Sequence, residues 1–364
     1  MKGLTASSDE LLTLDLFRFL SSVAIVYHHS HEYFVAPAFR AAAGQRTAGL
    51  ALFVDLFFLI SGFVIAYVYS DRIHQPGGVL RFGQKRFARL FPLHWLTLLL
   101  SIALWAIVTR FVHVDHAPST DPKCIVLTAA LLQGIFPCGN GIYYNFPNWS
   151  LSVEIAMYAL YPLLAWLIGA GRRMYLGFSL LLFLAIGMYA FRLTTGVLNW
   201  TDLYDPLRAL PSFMLGTALA ANRDLLKAIP AAQPLSLLSF AVAVALALTG
   251  GAAPLQLAAM VLAGTFAIAA DTQGKVAGWT AKVAPLGQLT YSLYLWHVLV
   301  IMVLMNGIAD KLMRGNTAVL VVCTVLTYVG IAILSYLSWR YFETPARIWL
   351  DGWFRRRNSR EARA

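Results

Sequence analysis

The 364-residue chain is 59% hydrophobic and only 12% charged, with a mean hydropathy of +0.67. A soluble domain must show water a polar surface, so this composition excludes one and points to an all-α, polytopic membrane helical bundle. Short alternating segments of the β-barrel kind are absent. The net charge of +11 does not carry a nucleic-acid reading, because the basic residues flank apolar runs rather than forming one face.

In chain order, apolar stretches predict about ten spans, at 12–34, 48–69, 90–112, 148–169, 174–192, 204–221, 235–250, 254–270, 284–306 and 317–341. Most approach the roughly 20 residues that cross a hydrocarbon core. Lys2, the Arg72 to Arg89 loop, Arg172, Arg173, Arg223, Lys227, Lys275, Lys282 and the arginines from Arg340 to Arg363 then fall on one side. Only Arg40, Arg46, Arg110, Lys123, Arg192, Lys311 and Arg314 fall on the other. By the positive-inside rule the chain is expected N-in and C-in. A retained first helix is expected rather than a cleaved signal, because the opening apolar run carries Asp15, Arg18 and three histidines. The chain divides into a membrane domain at 1–345 and a basic cytoplasmic tail at 346–364, whose end, DGWFRRRNSREARA, is expected to be disordered near anionic headgroups.

The first span holds Arg18 and His29. Eleven helical residues advance about 1100°, close to three turns, and rise about 16 Å, so both side chains share a face. Ionisable groups at membrane depth usually serve chemistry or transport. An arginine there could hold an anionic donor, and a histidine three turns on could deprotonate an acceptor. Asp15, three residues before Arg18, is placed to pair with it. His28 and His31 are rotated off the Arg18 face, and a wet helix end is the plainer explanation of the trio.

The second span, FVDLFFLISGF, embeds Asp55, which must find a cation or a donor; it either orients a first-span histidine or makes a structural ion pair. The Ser61-Gly62 pair permits close helix contact. Arg86 and Arg89 share a helix face and suit phosphate, although topology alone also places cations here. The loop 113–147 contains Cys124 and Cys138, which can pair if that side is oxidising. Trp149 and Ser150 open the next span, with Glu154 one turn after Ser150, a candidate to align an acceptor hydroxyl or support the histidine. Near the end, Tyr294 and His297 share a face as candidates for acceptor contact or support. Cysteine-histidine zinc patterns and Walker loops are absent, so no metal is expected.

Six ordered segments, LDLFRFLSSVAIVYHH, VDLFFLISGFVI, RFARLFPLHW, NWSLSVEIAMY, YSLYLWH and RYFETPAR, resemble the family-3 integral membrane acyltransferases over nearly the whole chain. The resemblance implies O-acyl transfer, with acetyl-CoA as donor and a sugar hydroxyl of a bacterial exopolysaccharide or its lipid-linked repeat unit as acceptor, at the inner membrane. Xanthan-type exopolysaccharide acetyltransferases are the nearest type. It further implies that Arg18 and His29 are the essential first-span pair, that Arg86 and Arg89 bind acyl-CoA, and that Glu154 is the acid after the tryptophan-serine motif. The second acid usual after that glutamate is Ile155 here. The chain looks like the membrane-only form, without a fused periplasmic domain. Membrane lipid, a glycan or lipid-linked oligosaccharide, and the polysaccharide assembly machinery are the partners implied. The alternatives are a flippase of a lipid-linked glycan and an acyltransferase using another donor such as succinyl-CoA.

Overall fold

A computed structural model describes residues 11–31, 44, 47–111, 117–141, 143–193, 205–313 and 316–361. Lys2, Arg40, Arg46, Arg314 and Arg363, which entered the charge comparison, lie outside the described residues. Among the described residues every regular element is helical. In order they are α1 (Leu12–Ser30), a 3-10 turn (Ala48–Leu52) running into α2 (Phe53–Tyr69), α3 (Gly78–Phe111), α4 (Pro122–Ala129), a 3-10 turn (Phe146–Asn148) running into α5 (Trp149–Ala170), α6 (Arg172–Leu193) and α7 (Asp205–Ala221). There follow α8 (Ala232–Thr249), α9 (Ala253–Gln273), α10 (Gly278–Val283), α11 (Thr290–Ile301) with a π-helical extension (Met302–Leu312), α12 (Thr317–Ser338), a π-helical turn (Trp339–Glu343) and α13 (Thr344–Glu361).

Among the described residues seven helical stretches are long and apolar enough to cross a membrane: 48–69, 78–111, 146–170, 232–249, 253–273, 278–309 and 318–359. Each overlaps one of the expected ten. The other three expected spans are helices that fall outside this set. In α1 the apolar run is diluted by Asp15, Arg18, His28 and His29. Helix α7 has 17 residues, short of the roughly 20 a perpendicular crossing needs. The tail also departs from expectation, because α13 continues as helix to Glu361.

The chain forms two compact units. The first contains the stretch up to Asp71 and Leu160–Thr290, and the second Arg72–Ala159 with the stretch from Tyr291 onward.

In the first unit, α2 and α7 meet backbone to backbone. A Cβ at Gly62 would lie 2.1 Å from the Phe213 carbonyl oxygen, and one at Gly216 would lie 2.0 Å from that of Leu59. Glycine at both positions is what permits this approach, as the Ser61-Gly62 pattern suggested. Helix α1 packs on the 3-10 turn Ala284–Leu289, where a Cβ on Gly287 would come 2.7 Å from the Asp15 carbonyl oxygen. Phe17 stacks on Phe240 with centroids 4.5 Å apart. The start of α1 has no side-chain cap of its own. The Asp271 carboxylate, at the end of α9, accepts from the backbone N–H groups of Thr13 and Leu14 at 2.9 and 3.1 Å. It thereby satisfies donors that a helix start leaves open and places an anion at the positive end of the helix dipole.

In the second unit, α13 lies along the first turns of α3. Gln84 and Asn358 exchange amide hydrogen bonds at 3.2 and 2.9 Å, Lys85 is 3.8 Å from Asp351, and Phe87 meets Phe354 edge-on at 6.3 Å. These contacts explain why the tail is ordered. Its polar residues find partners on α3, a pairing between residues 274 positions apart that composition does not reveal. Cys124 and Cys138 are bonded, with Cα atoms 5.7 Å apart. The disulfide ties α4 to the segment ahead of α5.

Candidate active site

In the first unit, α1 carries Asp15, Arg18 and His29 on one unbroken helix. Arg18 Nη1 donates to Asp15 Oδ1 at 3.2 Å, and both side chains are about a quarter exposed, at 27% and 23%. The expected pair therefore forms, and it keeps the guanidinium neutralised without sealing it off. His29 is half-buried, its ring 5.0 Å from that of His28. His28 and His31 are both tied to Thr47. His28 Nδ1 donates to the Thr47 carbonyl at 3.2 Å, and His31 Nε2 lies 2.6 Å from the Thr47 hydroxyl. The flanking histidines thus anchor the polypeptide that leads into α2.

Asp55 is buried in α2, and its partner is Arg208 of α7. Arg208 donates from Nη2 at 2.8 Å and from Nε at 3.2 Å to Asp55 Oδ2, and each side chain is 3% exposed. Nη2 also donates to the Ala51 carbonyl at 2.9 Å. The forked guanidinium spans the carboxylate and the end of the 3-10 turn, a geometry that lysine could not reproduce. The structural ion pair open to Asp55 has formed. Arg208 was not singled out in the sequence, although a lone cation within the run DPLRALPSFML was a usable signal.

In the second unit, Arg86 and Arg89 stand on the same face of α3. The Arg86 guanidinium carbon is 5.8 Å from the Phe82 ring centroid and 5.6 Å from that of Tyr158. The Tyr158 hydroxyl donates to Glu154 Oε1 across one turn of α5. Arg89 lies 5.9 Å from the centroid of Tyr291 and 3.8 Å from Glu343 Oε1. Glu343 Oε2 accepts from the Ser292 hydroxyl at 2.8 Å. Buried Tyr291 is in electrostatic range of Glu343, Arg89, Glu154 and Tyr158, so α3, α5, α11 and the π-helical turn converge here. Two guanidinium groups therefore lie against aromatic rings, with carboxylates beside them.

The remaining expected residues form a separate polar cluster in the same unit. The Tyr294 hydroxyl donates to the Pro147 carbonyl at 2.7 Å and accepts from the Ser150 hydroxyl at 2.7 Å, and Ser150 Oγ itself lies 3.2 Å from that carbonyl. Trp149 opens α5, half-buried, and its carbonyl lies 3.0 Å from the Cβ position of Gly134. His297 is fully buried, and its Nδ1 donates to the Tyr294 carbonyl at 2.7 Å. A carbonyl can only accept, so a proton sits on Nδ1. His94 is locked in the opposite tautomer, with Nε2 donating to the Thr128 carbonyl at 2.9 Å and Nδ1 accepting from Asn148 at 3.0 Å. This cluster fixes the turn that starts α5, and with it the phase of Glu154 one turn later.

Residues 11–336 match the model of the family described as an acyltransferase domain. The chain belongs to that family. This membrane acyltransferase is similar to protein 2 in the picA locus of Rhizobium radiobacter, at 29% identity over 42% of its own chain and 81% of that protein. It is also similar to the acyltransferase MdmB of Streptomyces mycarofaciens, at 29% identity over 42% of this chain and 38% of MdmB. A third relative, named as a candidate membrane-bound transacylase, BcsY, of Komagataeibacter xylinus, is 27% identical over 76% of this chain and 74% of its own. No solved structure matches the acyltransferase. Family membership and the seven apolar helices make it a multi-pass membrane protein that transfers acyl groups.

Proposed function

We propose that this acyltransferase is an O-acetyltransferase that takes acetyl from cytoplasmic acetyl-CoA and places it on a sugar hydroxyl of an exopolysaccharide or its lipid-linked repeat unit at the bacterial inner membrane. The observation that carries the donor assignment is the Arg86 and Arg89 pair. It is backed by Phe82, Tyr158 and Tyr291 and flanked by Glu154 and Glu343, at the start of a long apolar helix. Forked donors preorganised in this way match the phosphates of CoA. The relatives named as an acyltransferase and as a transacylase support group transfer as the chemistry.

In this reading His29 accepts the proton of the acceptor hydroxyl as its oxygen attacks the thioester carbonyl. The carbon–sulfur bond breaks, and the CoA thiolate leaves and takes up a proton. Arg18, with Asp15 beside it, stabilises the negative charge that develops. Glu154 aligns the reacting groups through Tyr158.

The test uses the purified full-length protein in nanodiscs. CoA should raise its apparent melting temperature, because a ligand that binds only the folded state stabilises it. Arg86→Ala and Arg89→Ala should abolish that rise, and lysine at either position should restore part of it. Acetyl-CoA turnover that depends on added glycan acceptor would complete the assignment. Full CoA protection in the double alanine variant would move the donor site elsewhere, and no turnover alongside glycan translocation would make the protein a flippase.

A further inference from the structure

Resting on the donor reading of Arg86 and Arg89, we infer that Glu343, on the π-helical turn between α12 and α13, is the positioning residue that aims Arg89 at the donor's phosphates. Three observations meet on this side chain and a fourth on the arginine it faces. Its Oε1 lies 3.8 Å from Arg89 Nη1. Its Oε2 is fixed by the Ser292 hydroxyl at 2.8 Å, so the carboxylate cannot rotate away without losing a hydrogen bond in a buried place. Its side chain is 5% exposed while that of Arg89 is 24% exposed, so the acid is rooted and the guanidinium reaches out from it. The Arg89 guanidinium also lies 5.9 Å from the centroid of Tyr291, the residue before Ser292.

The backbone gives an independent argument. Residues 339–343 form a π-helical turn within an otherwise continuous helical stretch. A π turn inside an α-helix is rare and frequently sits at a functional site. Here the wider turn ends on Glu343. Without it, the phase of everything C-terminal would rotate relative to α12. The carboxylate that meets Arg89 and the helix that packs along α3 would then leave their present register together.

A carboxylate beside an anion-binding arginine lowers the local positive charge, so its presence needs a reason beyond attraction of the donor. Orientation supplies one. A long guanidinium left without a fixed partner samples many rotamers, and binding must freeze them at a cost that such a partner removes in advance. Glu343 holds one edge of the fork from a fixed place in the fold.

The experiment compares binding of CoA, dephospho-CoA and pantetheine, which carry successively fewer phosphates, to the wild-type protein, Arg89→Ala, Glu343→Gln, Glu343→Asp, and Arg89→Ala with Glu343→Gln. Glu343→Gln, which removes the charge beside Arg89, should weaken CoA by up to about tenfold and leave pantetheine unchanged. Aspartate should recover part of the loss. Added to Arg89→Ala, the glutamine change should have no further effect on CoA binding. A general structural defect would weaken all three ligands together, which would overturn the inference. So would tighter CoA binding by Glu343→Gln, because the acid would then be a competing anion. If Arg89→Ala weakens CoA and Glu343→Gln does not, the donor reading stands and the positioning role falls. If Arg89→Ala leaves CoA affinity unchanged, the donor reading itself falls.

Discussion

Replacing Asp55 with leucine should be among the most damaging single changes to stability in the first unit, and replacing Arg208 with methionine as well should undo most of the damage. Both side chains are 3% exposed, so solvent does not screen the ion pair. Removing either partner leaves a buried charge, at a cost of about 3–5 kcal/mol. If the two losses were independent, the double variant would lose about 6–10 kcal/mol on the same basis. In the double variant, however, neither member of the pair is left facing an empty place. What is lost is the 2.9 Å bond from Arg208 to the Ala51 carbonyl, worth about 1–3 kcal/mol as an unsatisfied buried acceptor. The apparent melting temperatures of purified protein should therefore rank wild type first, the double variant second and both single variants last. The same proteins decide the role of Asp55. If the carboxylate only holds α2 to α7, the double variant retains acyl transfer; if it also serves the chemistry, the double variant folds and is inactive. Additive losses, with the double variant least stable, would refute the argument from burial.

His29→Ala should eliminate transfer while leaving membrane insertion intact, and His28→Ala should retain substantial turnover with lowered thermal stability, because His28 bonds the Thr47 carbonyl at 3.2 Å; equal turnover at matched expression would count against His29 as the base. Gly62→Ala puts a methyl 2.1 Å from the Phe213 carbonyl oxygen and should cost about 1–3 kcal/mol as overpacking, seen as a lower melting temperature; unchanged stability would mean that α2 and α7 can part freely. Single cysteines at Gly83 and Thr120, with Cys323 removed and the native disulfide kept, should label from opposite sides in intact cells and inverted vesicles. Labelling of both from one side would remove the N-in, C-in topology.

Local features were the ones legible in the sequence. The Asp15 and Arg18 pair needs only helical spacing, and the close approach at Gly62 needs only a small residue in an apolar run. The cysteine pair needs only a shared loop. Long-range partners were not legible, because helical periodicity says which face a residue occupies and not which helix covers it. Asp55 plainly required a cation, but nothing local pointed to Arg208, 153 residues away. Glu343 was visible within RYFETPAR, yet the π-helical turn that presents it is a matter of backbone hydrogen-bond register, to which composition is nearly silent. Burial of charge also worked against counting spans. The ionisable residues that single out α1 in the sequence are the same ones that lower its apolarity.

The interleaving of the two units has a consequence for how the protein is made. The chain leaves the first unit after Asp71, lays down residues 72–159, returns to complete the first unit at Thr290, and only then supplies the remainder of the second. Arg89 and Glu343 are separated by 254 positions (343 − 89). At about 10 residues per second, roughly 25 s pass between the synthesis of the arginine and that of its acid. During that interval the early half of the second unit waits in the membrane while its neighbour folds. Ribosome pausing, or a stop codon before the last helix, would therefore yield one finished unit joined to one that lacks its closing strand of sequence, and membrane quality-control proteases should meet the second unit first.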